Sequence, residues 1–282
     1  MAGNDFIVET RDLTKIYKDG EEIRALDGVN LTLGRGEFVS VMGPSGSGKS
    51  TLLYVLGALV RPTSGQILIN GQDLTAVKDL DRFRNETIGF VFQLHNLIPS
   101  MTALENAEVP LHEQKLSGAE RRRRAVELLE MVGLGDRLSH LPSQLSGGQC
   151  QRVAVARSLV NQPSLVLADE PTGELDSQSS KETIDLMHDM NRRLGTTFII
   201  VTHDPAVARR TERVLIMGDG RIVREDTVTD PYTEDLRMLK ASPLGVAVLE
   251  GREELSLDGV ALFKDGVLTE AGSLLRELLE QV

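Results

Sequence analysis

Gly43-Pro44-Ser45-Gly46-Ser47-Gly48-Lys49-Ser50 follows the apolar run Phe38–Met42 and opens a helical pattern that begins at about Lys49. The spacing is G-x-x-x-x-G-K-[ST] in full, with the strand before it and the helix after it that the motif's mechanism needs. Glycines let the backbone curl until successive N–H groups converge on phosphate oxygens. The helix N-terminus adds partial positive charge at the same point. Lys49 is placed to reach the β- and γ-phosphates of a nucleotide and the Ser50 hydroxyl to ligate Mg²⁺; Thr51, next along, belongs to the same binding segment. An ordinary strand–turn–helix connection is the alternative, and the complete motif in its proper context disfavours it.

Further along, Leu165–Ala168 reads as a buried strand that ends in two carboxylates, Asp169 and Glu170. Asp169 is expected to contact Mg²⁺ through its water shell. Glu170, one residue on, is placed to polarise an attacking water as general base. Between these two segments lies Leu145-Ser146-Gly147-Gly148-Gln149, just before a helical pattern through Val153, Ala156 and Leu159. A serine and two glycines at a helix start make a second anion cradle, yet one chain needs only one for its own ATP. The economical reading is a cradle used in trans. Two copies then pair head to tail, each presenting this helix tip to the γ-phosphate held by the other.

Working outward, Phe6–Leu13, Val29–Leu33, Gln66–Ile69 and Ile88–Phe92 read as strands, and residues 102–146 as mostly helical. Within that stretch Ser117 and Glu120 form a capping box ahead of Ala125, Leu128, Leu129 and Val132 at helical spacing. A helix from about Gly148, the Leu165 strand, a helix over Gln178–Leu194 and a strand over Phe198–Val201 alternate. A short helix then leads to Val214–Met217 and Arg221–Val223, joined by Gly218-Asp219-Gly220, a hairpin signal. Strands alternating with helices predict an α/β fold, a parallel sheet with helices on both faces.

The ordered motifs resemble those of the nucleotide-binding cassettes of ABC transporters over about residues 6–224. Leu145–Gln149 is similar to that family's signature. By the same resemblance Tyr17 stacks on adenine, Gln93 contacts metal and water and senses the membrane partner, Asp176 in Gly173-Glu174-Leu175-Asp176 lies at the dimer seam, and His203 after Thr202 holds the γ-phosphate. The implied fold is a P-loop NTPase cassette: a mixed β-sheet core, an N-terminal antiparallel β subdomain and an inserted helical subdomain at about 94–146. The implied cofactors are ATP and Mg²⁺. The implied partners are transmembrane permease subunits and a second copy of the chain or a paralogous ATPase, which puts the chain in the cytoplasm against the inner face of the cell membrane. Two positions depart from the family pattern: Cys150 stands where a long polar residue is usual, and Glu174 where a small or amide residue is. Arg61–Gly65, Gln93–Pro99 and Glu170–Gly173 resemble the lipoprotein-release and macrolide-export branch, although amino-acid importers share much of the pattern. Chromosome-type relatives carry a very long coiled coil between the glycine loop and the signature, and about a hundred residues separate them here; ribosome-type relatives carry two cassettes, and one is present. Glu170 and His203 argue against a sensor without turnover.

Composition agrees. The chain has 282 residues, 40% of them hydrophobic, enough to bury a core. A net charge of −11, no Trp and 4% aromatics exclude a nucleic-acid platform. The single Cys150 makes no intramolecular disulfide and no metal cluster, and no activating partner marks it as a nucleophile. Met1–Asp12 lacks a basic and apolar leader. The longest apolar stretch, Thr51–Val60, is about half a membrane span, so a separate chain is expected to cross the membrane. The Arg121–Arg124 run is expected to be a solvated helix face. Residues 225–282 carry 13 acidic and 5 basic side chains, net −8, leaving −3 for residues 1–224. That contrast sets an acidic C-terminal extension apart. Within it Asp258-Gly259 and Asp265-Gly266 read as tight turns, and Leu274, Leu275, Leu278 and Leu279 as a helical stripe packed on its own lobe.

Overall fold

The central strands are apolar at most positions, on both faces, and must therefore be covered on both faces. The computed structural model, which describes residues 6–19, 21–228, 236, 239–240, 242–250, 256–257, 260–264 and 267–280, shows that arrangement. Two long strands, β1 (Phe6–Asp19) and β2 (Glu21–Gly34), pair antiparallel. Next come β3 (Phe38–Met42), α1 (Lys49–Leu56), β4 (Ser64–Ile69), β5 (Gln72–Asp73), α2 (Leu80–Thr87) and β6 (Ile88–Phe92). Then follow α3 (Ala103–Glu108), α4 (Gly118–Met131), α5 (Gly147–Leu159), β7 (Leu165–Asp169), α6 (Ser177–Leu194) and β8 (Thr197–Val201). The unit closes with α7 (Pro205–Ala208), β9 (Arg213–Gly218) and β10 (Arg221–Thr227).

Four strands form an antiparallel sheet in the order β2-β1-β4-β5. Six form the second sheet, β10-β9-β3-β8-β7-β6, in which only the edge strand β10 runs antiparallel to its neighbour. That mixed core beside an antiparallel sheet is the predicted α/β architecture. The period-2 alternation of the strands sorts their side chains into two cores. Val39, Val41, Leu165, Leu167, Ile199 and Val201 join Leu52, Leu53 and Leu56 of α1 and the antiparallel sheet. Phe38, Val166, Ala168, Phe198 and Ile200 face Leu104, Leu129, Val153, Ile184 and Met187 of the helices. Phe198 is fully buried, its ring centroid 5.6 Å from that of Phe38. Phe198→Ala is expected to cost about 3–5 kcal/mol, read as a lowered midpoint of urea unfolding; a loss under about 1 kcal/mol would contradict the packing described.

The β9–β10 hairpin turns on Asp219 (φ 47°) and Gly220 (φ 76°), both left-handed, the geometry of a two-residue primed turn. The Ser117–Glu120 box forms only by half. Ser117 Oγ accepts from the Glu120 N–H, but the Glu120 carboxylate is taken by Arg123 and Arg124, which hold its pKa down to about 2. A full capping box stands instead at Thr102–Glu105, starting α3. Arg123 also pairs with Glu127, and the Arg121 guanidinium bonds the Leu116 carbonyl, so much of the arginine run is engaged within its own helix.

The chain divides into compact units at Thr227/Val228, just past the compositional boundary. In the second unit, α8 (Pro243–Glu250) and α9 (Glu270–Glu280) accompany two short antiparallel pairs, β11 (Ser256–Leu257) with β12 (Val260–Ala261) and β13 (Phe263–Lys264) with β14 (Val267–Leu268). Val248, Leu262, Phe263 and Leu279 form its core, with Leu275 partly buried against them. The leucine stripe is therefore split. Leu275 and Leu279 share the inner face one turn apart, whereas Leu274 and Leu278, next around the helix, are 61% and 39% exposed. The Asp258-Gly259 and Asp265-Gly266 turns lie outside the described residues. No helix among the described residues is long and apolar enough to cross a membrane.

Candidate functional site

The loop between β3 and α1 takes a shape that only glycine allows. Gly43 has φ 148° and Gly48 φ 99°. A Cβ at Gly43 would lie 2.2 Å from the Met217 carbonyl oxygen, and one at Gly48 2.3 Å from that of Ala25. Gly48 is the N-cap of α1 and brings no side chain to cap it, so the first N–H groups of the helix keep their capacity for an anion. The Lys49 ammonium donates to the carbonyls of Gly43 and Pro44, both at 2.8 Å. Ser47 is buried, and its backbone carbonyl accepts from the Gly220 N–H at 3.1 Å, anchoring the loop to the β9–β10 turn. Pro44, Ser45 and Gly46 are exposed, and Thr51 is half-buried in the first turn of α1.

Beyond the loop, the Ser50 hydroxyl donates to Asp169 Oδ1 at 3.2 Å, and the Tyr54 hydroxyl donates to Asp169 Oδ2 at 2.9 Å. Burial and the neighbouring carboxylate push the Tyr54 phenol above its ordinary pKa. Among the described residues no group of three or more His, Cys, Asp or Glu could hold a metal. A hydroxyl and a carboxylate beside a phosphate cradle are, however, the donor set of Mg²⁺, which binds through one or two carboxylates with substrate phosphates and water.

Glu170 has φ 49°, a left-handed conformation that costs an ordinary residue roughly 1–2 kcal/mol. Its N–H is fixed to the Val201 carbonyl at 2.9 Å, and its carboxylate Oε2 sits 2.5 Å from Nδ1 of the exposed His203. Thr202, before that histidine, has its N–H on the Val41 carbonyl at 3.1 Å, so β3 and β8 align the two halves. Glu170, Thr172, Gly173, Thr202 and His203 border a cavity of about 560 Å³. A carboxylate held beside an imidazole at the rim of such a cavity can relay a proton from water.

Gln93 is placed otherwise. Its side-chain Nε2 donates to Oε1 of Glu174, one of the two unusual positions, at 3.1 Å. Asp176 caps α6, accepting from the N–H groups of Gln178 and Ser179 at 3.0 Å; these bonds and the Ser179 hydroxyl hold its carboxyl below the usual range. Tyr17 is 37% exposed, with the Lys15 ammonium 4.8 Å from its ring centroid.

Ser146 and Gln149 form a reciprocal capping box: Gln149 N–H donates to Ser146 Oγ at 3.2 Å, and Ser146 N–H to Gln149 Oε1 at 2.9 Å. The N–H groups of Gly147 and Gly148 keep no intrahelical partner. Ser146, Gly148 and Gln149 border a hollow of about 240 Å³ with Gly133, Leu134, Arg152, Ser179 and Glu182, none of them from the glycine loop. The starts of α1 and α5 are therefore two separate places on the chain where first-turn N–H groups are available. Cys150, one position on, is buried with its thiol pKa raised by that burial, as an unreactive helix residue would be.

Three contributors escaped the sequence reading. Tyr54 lies one turn after Ser50, and that i, i+4 spacing is its only signal. Arg157 of α5 donates to the carbonyls of Asn96 (2.6 Å) and His95 (2.7 Å), and Gln151 of the same helix bonds the His95 ring. His95 and Asn96 have φ 58° and 48°, so α5 grips a strained turn that begins two residues after Gln93.

Comparison with known proteins bears on this geometry. The ABC transporter family model matches residues 26–173. The macrolide export ATP-binding/permease protein MacB of Marinobacter nauticus is 50% identical over 224 residues, 78% of this chain; the chain spans only 34% of MacB. The lipoprotein-releasing system ATP-binding protein LolD of Legionella pneumophila is 46% identical over 222 residues, 78% of this chain and 98% of LolD. Among solved structures, the dimeric post-hydrolysis state of the ATP-binding cassette MJ0796 with ADP and Pi superposes with a TM-score of 0.72 at 47% identity, covering 79% of this chain and 99% of that one.

Proposed function

This chain belongs to the ABC transporter family, as an ATP-binding and ATP-hydrolysing cassette, and from that premise we propose how its residues divide the work of a dimeric motor. Each nucleotide is held from one side by Lys49, Ser50, the loop Gly43–Gly48 and Thr51, with Tyr17 on the base. The other side is Ser146, Gly147, Gly148 and Gln149 of a second copy or a paralogue, with Asp176 at the seam. The observation that supports this reading is the presence on one chain of two separate helix starts with first-turn N–H groups available, at α1 and α5.

Ser50 and Asp169 would hold Mg²⁺, with Gln93 a further donor if released from Glu174, and the ion would supply charge that offsets the phosphates. Glu170 accepts a proton from the attacking water, while Lys49 and His203 stabilise charge on the transferring phosphoryl group. The left-handed backbone at Glu170 supports this assignment, because it fixes the carboxylate against His203. ADP release reopens the pair.

A separate membrane permease receives the motion, and the chain sits at the inner face of the membrane through it. The segment after Gln93 supports that contact: Leu94 is 70% and Ile98 36% exposed, while the turn between them is fixed to α5 by Arg157. Likeness to the lipoprotein-release and macrolide-export proteins favours an exporter-type or lipoprotein-release partner. The test is phosphate release by the purified chain with ATP and Mg²⁺, alone and with that permease in nanodiscs. Turnover that rises on adding the permease is expected; no turnover in either state overturns the proposal.

A further inference from the structure

Asp169 is held by two donors from one face of α1, Ser50 on Oδ1 and Tyr54, one turn later, on Oδ2. The two bonds together fix the rotation of the carboxylate about its Cβ–Cγ bond. Ser50 alone cannot do so, because a single 3.2 Å hydrogen bond to one oxygen leaves the plane of the group free to swing. Tyr54 is itself fixed: it is half-buried, it packs against the core that includes Leu53 and Leu56, and its hydroxyl ends on the carboxylate.

We infer that Tyr54 is a positioning residue for the metal-holding carboxylate: its phenol locks Asp169 so that the oxygen next to Ser50 faces the cation. This rests on the nucleotide-site reading given above. Partners that orient a metal-holding group from outside typically govern metal affinity by about 10–100-fold. Loss of the hydroxyl should therefore weaken the divalent cation and leave the glycine loop's own grip on phosphate untouched, since no Tyr54 atom belongs to that loop. Phenylalanine keeps the ring that packs the core, so Tyr54→Phe isolates the hydroxyl.

The experiment titrates Mn²⁺ into the full chain with a stoichiometric non-hydrolysable ATP analogue and reads free Mn²⁺ by electron paramagnetic resonance. Binding of the analogue in EDTA is measured alongside. Tyr54→Phe is expected to weaken Mn²⁺ about tenfold while analogue affinity in EDTA moves less than twofold. Equal Mn²⁺ affinity in the two proteins overturns the role of the phenol and leaves the nucleotide site standing. Equal loss of analogue affinity in EDTA also overturns it, because the effect would then be on the whole site and not the cation. If the unaltered chain binds neither analogue nor Mn²⁺, the nucleotide-site reading itself falls. Tyr54→Leu, lacking both ring and hydroxyl, should match Tyr54→Phe in Mn²⁺ affinity and fall below it in thermal stability.

Discussion

Glu170→Gln is expected to lower steady-state ATP turnover about a thousandfold, within the range set by removal of a general base. The substitution keeps the shape of the side chain and removes only its capacity to take a proton. The glycine loop's grip on the phosphates does not change: the bonds of Lys49 to Gly43 and Pro44 and of Ser50 to Asp169 do not involve Glu170. ATP affinity should therefore stay within about threefold of the original, a difference of about 0.7 kcal/mol. Phosphate release and filter-bound ATP measured on the same preparation separate the two quantities. Turnover within tenfold of the unaltered chain would move the base elsewhere, with His203, 2.5 Å from this carboxylate, the next group to test.

The second large effect is expected at the other cradle. Gly148→Asp sets a carboxylate in the first turn of α5, where the helix dipole favours negative charge, so the lone chain should fold at least as well as before. Steric room is adequate for a small adjustment: a Cβ there meets the Ser179 hydroxyl at 3.3 Å, the end of a short side chain. In a composite site, however, that carboxylate would face the γ-phosphate of the nucleotide on the partner, and it would oppose the charge that Gly147 and Gly148 N–H groups are placed to bind. Turnover is expected to fall about 100-fold, with melting temperature and ATP affinity of the isolated chain unchanged. A folded, fully active Gly148→Asp protein would mean that the α5 tip takes no part in hydrolysis.

Much of this architecture is legible in the residues because local signals and tertiary demands agree. The Phe38–Met42 strand, the glycine loop and the Ile88–Phe92 strand are bounded by the same residues that end the observed elements. Both faces of these strands are largely buried, which favours a near-continuous apolar run, and the one buried polar side chain in β3, Ser40, is satisfied by the Thr211 hydroxyl at 2.9 Å. Where signals compete, reading fails. The helix α2 is polar apart from Leu80 and buried Phe83, and its clearest mark is the Asp79 cap on the Arg82 N–H. Glu120 had the spacing for a capping box but lies within reach of two arginines, and the charged partners win. In the candidate site, the spacing proposes which residues carry chemistry but not which way they point. Gln93 turning to Glu174 depends on a residue 81 positions away, and the Tyr54–Asp169 bond on one 115 away. Contacts of that kind are set by the sheet order, which brings β7 beside β6 and places α1 against β7, and no local pattern announces them.

The head-to-tail pairing on which the rest depends is tested most directly by sedimentation. Glu170→Gln protein, run with ATP and Mg²⁺ and again without nucleotide, is predicted to sediment at twice the monomer mass in the first case and as monomer in the second. Adding Gly148→Asp to it should return the ATP-loaded sample to monomer. A single monomeric species with ATP bound, at any concentration up to that of the crowded cell, would contradict a nucleotide shared between two chains.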